Sequence, residues 1–172
     1  MAWAWLLLGA LAALTPLPVP GRLAGVLLAC AACGWRPAPP EWGAARLAML
    51  DVGQGLAVVV ETRHHLLVYD AGPSFRSGND AGAIALEPYL RHRGRRRIDM
   101  LVASHDDLDH AGGAGTLAQL VPVARLVASG QALDRLGPVE PCTQGGHWQW
   151  DGVRFEWLHP GARPPPGDND AS

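Results

Sequence analysis

An apolar run, Ile98 to Ala103, passes directly into Ser104-His105-Asp106-Asp107-Leu108-Asp109-His110, and this junction restricts the fold more than any other part of the chain. A strand that is apolar on both faces must be covered on both, as in the parallel sheets of layered α/β proteins. The polar residues that follow then project from the end of that strand. His105 and Asp107 are two residues apart and point to one side of an extended turn. Asp109 and His110 follow as the turn curls into a helix, and aim at a second point nearby. Imidazole and carboxylate are ligands for first-row divalent cations. Two such cations about 3.5–4 Å apart clamp an in-line displacement at phosphorus. The plainer reading is a polar turn with chance acidic residues. Four metal-capable side chains within six residues weigh against it. Gly112-Gly113 lets the backbone pack closely after the turn.

Around this junction the chain alternates short branched runs with turn residues. Ala45 to Leu50, Leu56 to Glu61 and His65 to Tyr69 read as strands, separated by Gly or polar turns. Asp80 to Arg91 reads as a helix that Pro88 bends or ends. Gly115 to Leu120 reads as a short helix, and Ala124 to Ala128 and Val153 to Leu158 as strands. Trp148 and Trp150 alternate with polar residues, as in a half-buried strand or hairpin. His64 and His65 begin a strand and point to opposite faces, so they do not share a ligand. Strands that first meander and then alternate with helices predict a sheet inside and helices outside.

Residues 1–35 differ from the rest. Trp3 to Leu14 is apolar, Thr15 to Pro20 is Pro-rich, and Leu23 to Trp35 is apolar again, with Arg22 the one charge. Each run has about a dozen residues, short of the roughly 20 that span a bilayer. The N-terminus also lacks the positive region of a secretory signal. The segment reads as the end of one membrane helix, a turn, and a short last helix from about Val19 to Trp35. Arg22 suggests a cytoplasmic turn, which sends the soluble part to the far side. Residues 36–44, opening with Arg36-Pro-Ala-Pro-Pro40, read as a stiff linker. The net charge of −2 and pI of about 6.4 exclude a global field for nucleic acid or acidic lipid. Cys30 and Cys33 sit inside the apolar run and read as small buried residues, not as a redox pair.

The pattern H-x-D-x-D-H-x-G-G resembles the H-x-H-x-D-H signature of the metallo-β-lactamase superfamily, with Asp107 at the second His. Leu50-Asp-Val-Gly-Gln-Gly55, Leu67-Val-Tyr-Asp-Ala-Gly-Pro73, Glu87-Pro-Tyr-Leu90 and Asn169-Asp-Ala-Ser172 resemble, in order, the C-terminal domain of the ComEC family. This resemblance covers about residues 45–172. It implies the N-terminal half of a metallo-β-lactamase-like αββα sandwich preceded by a transmembrane segment. It also implies an inner-membrane DNA channel of natural transformation, whose hydrolase domain acts on DNA, including the strand that does not enter, on the periplasmic side. Other competence proteins are expected partners.

Carried onto this chain, the resemblance has His105 and Asp107 hold one metal ion and Asp109 and His110 the other, manganese or zinc. Asp107 in place of His makes the set harder and shifts preference from zinc toward manganese or magnesium. Asp109 is the expected catalytic residue, and Asp70 the acceptor that orients a ligating His. Asp51 is expected to cap the Gly-Gln-Gly loop. The family's later Gly-Asp after a strand and its His-His-Gly-Ser segment are not found. Gly167-Asp168 follows three prolines and reads as loop, and His147 and His159 read as turn residues. The chain is therefore expected to be a fragment that binds metal weakly and turns over poorly.

Arg95, Arg96 and Arg97 are candidate phosphate contacts; a solvated loop in an Arg-biased protein is the alternative. Two other functions use the same residues. One is a membrane-anchored hydrolase of small esters or phosphoesters. The other is a non-catalytic module that guides DNA.

Overall fold

The computed structural model describes residues 2–14, 19–34 and 37–159. The expected turn at Thr15, the expected helix end at Trp35, the linker start at Arg36, and the stretch holding Gly167, Asp168 and Asn169 to Ser172 lie outside the described residues. The chain divides into two compact units, Met1–Pro37 and Ala38–Ser172.

The first unit contains α1 (Ala2–Leu14) and α2 (Val19–Gly34). They meet through small residues: a Cβ on Gly9 would lie 2.7 Å from the Gly25 carbonyl oxygen and 3.0 Å from the Ala29 Cβ. Leu7, Leu11, Leu23 and Leu27 remain exposed. The helices have 13 and 16 residues, or about 20 and 24 Å at 1.5 Å per residue. A hydrocarbon core is about 30 Å thick. The short helix expected from about Val19 forms as α2; among the described residues no helix is long and apolar enough to cross a membrane.

The second unit is built on a six-stranded sheet in the order β1 to β6. β1 (Arg46–Met49), β2 (Ala57–Glu61) and β3 (Leu66–Ala71) form an antiparallel meander. β4 (Met100–Ala103), β5 (Leu126–Ala128) and β6 (Val139–Pro141) continue it in parallel from β3. A π-helical turn (Gly82–Leu86) and α3 (Glu87–His92) join β3 to β4, and α4 (Leu108–Ala111) and α5 (Ala114–Leu120) join β4 to β5. Pro88 explains the π turn. It has no N–H to give to the carbonyl of Ile84, and the turn before it widens so that the Glu87 N–H reaches the Gly82 carbonyl. Thus the helix expected over 80–91 forms in two pieces.

Alternate residues of the strands feed two cores. Val59, Val68, Leu101, Ala103 and Leu126 pack with Leu86, Leu90 and Leu117 of the helical layer. Leu67, Met100, Val102 and Val127 face the other way, toward Trp148, Trp150 and Trp157. These Trp residues lie on or just after a hairpin, β7 (His147–Trp150) and β8 (Val153–Glu156). Its two-residue turn, Asp151-Gly152, has φ of 50° and 85°, as a type I′ turn requires. The layering is therefore helices, a large sheet, and a second smaller sheet.

Asp151 ties the hairpin to the turn between β2 and β3. Its carboxylate accepts from the Thr62 hydroxyl at 2.6 Å and the His64 backbone N–H at 2.7 Å, and lies 2.7 Å from His64 Nδ1. Burial alone would raise its pKa, but these hydrogen bonds hold the carboxyl well below the usual range. Next to that tie, at the end of β2, Glu61 is buried and receives the Arg93 guanidinium at 2.9 and 3.0 Å. The carbonyl of Ala38, in the expected linker, accepts from Arg46 and Arg93.

Glycines set how closely α4 and α5 approach the sheet. A Cβ on Gly113 would lie 2.3 Å from the Ala71 carbonyl oxygen and 2.5 Å from the Gly82 nitrogen. Both neighbours are backbone, so neither can rotate away. Gly113→Ala should lower stability by about 1–3 kcal/mol, read as a fall of roughly 5–10 °C in melting temperature. A second measurement concerns Asp151. Because its folded pKa is depressed below 3.8, its stabilising contribution is complete above the unfolded pKa and is lost as pH falls through the folded value. The stability gap between wild type and Asp151→Asn should be open at pH 5 to 7 and narrow below about pH 4.

Candidate metal centre

Strands β3 and β4 run in parallel and end at the same edge of the sheet. Asp70 stands at the end of β3 and Ser104-His105 just past the end of β4. Register shifts between Ala57 and Val58, which pair with Ala71 and Tyr69, so Asp70 is the extra residue of a β-bulge. Its φ is 58°, a left-handed conformation that Asp tolerates better than most residues. A bulge re-aims a side chain, and here it turns the Asp70 carboxylate, itself buried, toward the loop after β4.

Three donors surround that carboxylate. The Ser104 backbone N–H donates to Oδ1 at 2.8 Å, and the Ser104 hydroxyl donates to Oδ2 at 2.8 Å. His110 Nδ1 also lies 2.8 Å from Oδ2. A carboxylate only accepts, so His110 carries its proton on Nδ1. The Ser104 hydroxyl has spent its hydrogen on Asp70, so its oxygen accepts from His105 Nδ1, 2.8 Å away. Both imidazoles are thereby held as tautomers whose Nε2 lone pairs are free, the form in which His ligates metal. The two rings lie 4.0 Å apart between centroids.

Asp109 joins them on the first turn of α4. Ligand atoms of His105, Asp109 and His110 all lie within 4.8 Å of one another. The His105 side chain is 11% exposed, while Asp107 and Asp109 are 50% and 38% exposed. Asp107 Oδ2 lies 3.5 Å from His105 Nε2, and Asp109 Oδ2 lies 3.9 Å from His110 Nε2. Neither contact is a hydrogen bond, and the gaps leave room for a cation between base and carboxylate. The geometry thus gathers one compact trio, with Asp107 on its exposed flank beside His105. The trio takes His105 from the expected pair His105–Asp107 and both members of the expected pair Asp109–His110. They come together because α4 begins at Leu108 and its first turn carries Asp109 and His110.

The loop is held from both sides. A Cβ on Gly55, whose φ is 125°, would strike the Asp109 carbonyl oxygen, which also accepts from the Leu56 N–H at 3.2 Å. Asp51 Oδ1 accepts from the Gly53 N–H at 3.2 Å and so caps the Gly-Gln-Gly turn. Asp106 points away from the trio and accepts from the Gln131 and Ala132 N–H groups at 2.9 and 2.7 Å. Ser104 is the contributor that sequence reading left without a role; its signal was a hydroxyl residue directly before the first His at a strand end.

Other candidates stand elsewhere. Arg95, Arg96 and Arg97 precede β4 and lie at its opposite end from the trio. His64 pairs with Asp151, and His65 stacks on Trp150 at 4.9 Å, so the two do part ways. His147 Nδ1 faces the Gly145 carbonyl at 3.2 Å.

Over residues 50–172 the chain matches the family described as Metallo-beta-lactamase superfamily. It is 36% identical over 121 residues to Recombination protein 2 of Haemophilus influenzae, across 70% of this chain and 15% of that protein. It is 35% identical over 133 residues to the Uncharacterized protein YcaI of Escherichia coli, across 77% of this chain and 16% of that protein. To Competence protein ComA of Neisseria gonorrhoeae it is 36% identical over 147 residues, across 86% of this chain and 20% of that protein. The chain thus spans 15 to 20% of the length of the curated relatives it matches.

Replacing Asp70 tests the arrangement. Asp70→Asn keeps the backbone tolerance of the bulge but presents one oxygen to three donors. It should weaken manganese or zinc binding by about 10–100-fold in calorimetry, with the far-UV spectrum unchanged.

Proposed function

Because the chain belongs to the metallo-beta-lactamase superfamily, we propose that it is the metal-dependent phosphodiesterase domain of a ComEC-type protein and acts on DNA in natural transformation. The observation that carries this reading is the convergence of two imidazoles and a carboxylate within 4.8 Å, both imidazoles already fixed through Nδ1. Two relatives bear the names competence protein and recombination protein, which supports DNA as the substrate.

His105, Asp109 and His110 would hold one divalent cation, and Asp107 beside His105 would share in holding a second. A divalent cation bound there would supply positive charge against phosphoryl oxygens and would acidify a nearby water. The chain's own residues do the rest. Asp70 acts through His110 and Ser104 to keep both Nε2 atoms turned inward. Asp109, half exposed, accepts a hydrogen bond from an approaching water and orients it in line with the phosphorus. Gly55 lets the Asp51–Leu56 loop press on the Asp109 backbone and fix that side chain's origin.

In this reading the domain works at the bacterial inner membrane, on its periplasmic side, with the non-transported strand as substrate and other competence proteins as partners. The exposed leucines of α1 and α2 support an apolar setting for the first unit.

The test is nuclease activity with manganese, measured on the protein as its host produces it. His110→Ala should lower kcat/KM at least 100-fold, about 2.7 kcal/mol of transition-state stabilisation, with folding intact by circular dichroism. Equal activity in variant and wild type would reject the proposal.

A further inference from the structure

At the end of β3 and β4 opposite the metal centre lies an open cavity of about 420 Å³, lined by His64, His65, Arg95, Arg96, Arg97 and Asp99 among others. From Leu66, which borders it, to Asp70 is about 13 Å of strand. The cavity therefore does not share a ligand atom with the metal trio.

Its charges are unbalanced. Arg95 is turned inward, donating to the Thr62 carbonyl at 2.8 Å, and lies 3.8 Å from Glu61. Glu61 is already engaged by Arg93 at 2.9 Å and Arg46 at 3.4 Å. Asp99, the one acidic lining residue, accepts from the Leu66 N–H at 2.9 Å and faces Arg97 at 3.3 Å. Among the described residues Arg96 has no hydrogen-bond or ion-pair partner, and it is exposed. Arg97 thus faces Asp99, Arg95 faces a Glu61 already shared with two other arginines, and Arg96 faces neither, so positive charge at the cavity is in excess. A bound polyanion would offset that excess, and planar guanidinium forks match phosphate oxygens.

We propose that this cavity binds phosphodiester groups of a nucleic-acid strand, as a second contact remote from the metal centre. The choice of nucleic acid among phosphate-bearing ligands rests on the functional reading above; the anion site itself does not. Concavity favours a strand over a bilayer surface, since a flat headgroup layer reaches only the rim. His65, which lines the cavity, is stacked on Trp150 at 4.9 Å, so aromatic surface adjoins the cationic site, the combination that single-strand binders use.

The experiment is fluorescence anisotropy of a labelled single-stranded oligonucleotide across a salt series, on the whole protein. Arg96→Gln with Arg97→Gln should weaken binding about 10-fold at physiological salt. The slope of log K against log salt should fall by roughly 1.4, two single-strand phosphate contacts. Arg96→Glu alone, which removes no contact within the fold, should act in the same direction. Arg125→Gln with Arg154→Gln, two exposed arginines elsewhere in the domain, changes net charge equally and should leave affinity within about twofold. Equal loss in both double variants would reduce the effect to net charge and overturn the proposal. So would unchanged affinity and slope, or loss of binding to phosphatidylglycerol vesicles with oligonucleotide binding intact. Manganese affinity by calorimetry should be unaltered in the Arg96/Arg97 variants, and His110→Ala should keep its oligonucleotide affinity. Failure here and failure of the hydrolase reading are thus separable.

Discussion

The buried carboxylate of Asp70 accepts three hydrogen bonds, two from Ser104 and one from His110, and most of the site depends on them. They join the end of β3 to the end of β4 and reach into α4. Within the sheet the same two strands are also joined by the regular parallel ladder. Without the carboxylate, His110 loses its tautomer and Ser104 loses the acceptor that commits its hydrogen. His105, which leans on the Ser104 oxygen, would then be free to turn. One ionic group thus sets the direction of two bases that never touch it through Nε2.

That arrangement needs close backbone approach, and glycine provides it on two sides. Gly55 lies against the carbonyl of Asp109, and Gly112 and Gly113 lie against the segment leaving β3. The helical layer carries the larger share of the apolar core. The hairpin carries the aromatic share on the opposite face, locked by Asp151 to the turn that begins β3. The sheet is therefore gripped from both faces while its β3–β4 edge is kept for chemistry.

Much of this was legible in the residues. Ile98 to Ala103 could only be a strand buried on both faces, and the meander before it announced itself through branched runs and turn glycines. The run from His105 to His110 marked the loop after that strand as a metal-ligand candidate, with His105 paired to Asp107 and Asp109 to His110. Less legible were features created by tertiary contact. β6 is a three-residue edge strand containing Pro141, and an edge is where proline survives in a sheet; no local pattern marks it. Pro88 signalled a break in the helix but not that the preceding turn would widen. Spacing grouped His105 with Asp107 and Asp109 with His110, but could not show that the first turn of α4 brings ligand atoms of Asp109 and His110 within 4.8 Å of His105. The two apolar runs near the N-terminus, each about a dozen residues, read as short helices, and two helices of 13 and 16 residues stand there. That β3 bulges at Asp70 is invisible in sequence, since register belongs to two strands at once.

The bulge at position 70 also bears on which substitutions the lineage can sample. Two demands coincide in one residue: a backbone at φ 58° and a short anionic side chain with both oxygens occupied. Glycine satisfies the first and not the second. Glutamate carries the charge but reaches too far and resists the left-handed backbone. Asparagine tolerates the backbone and halves the acceptors. Few evolutionary routes leave such a position, so drift in this domain should be channelled to the hairpin and outer helix faces, while the end of β3 stays nearly fixed.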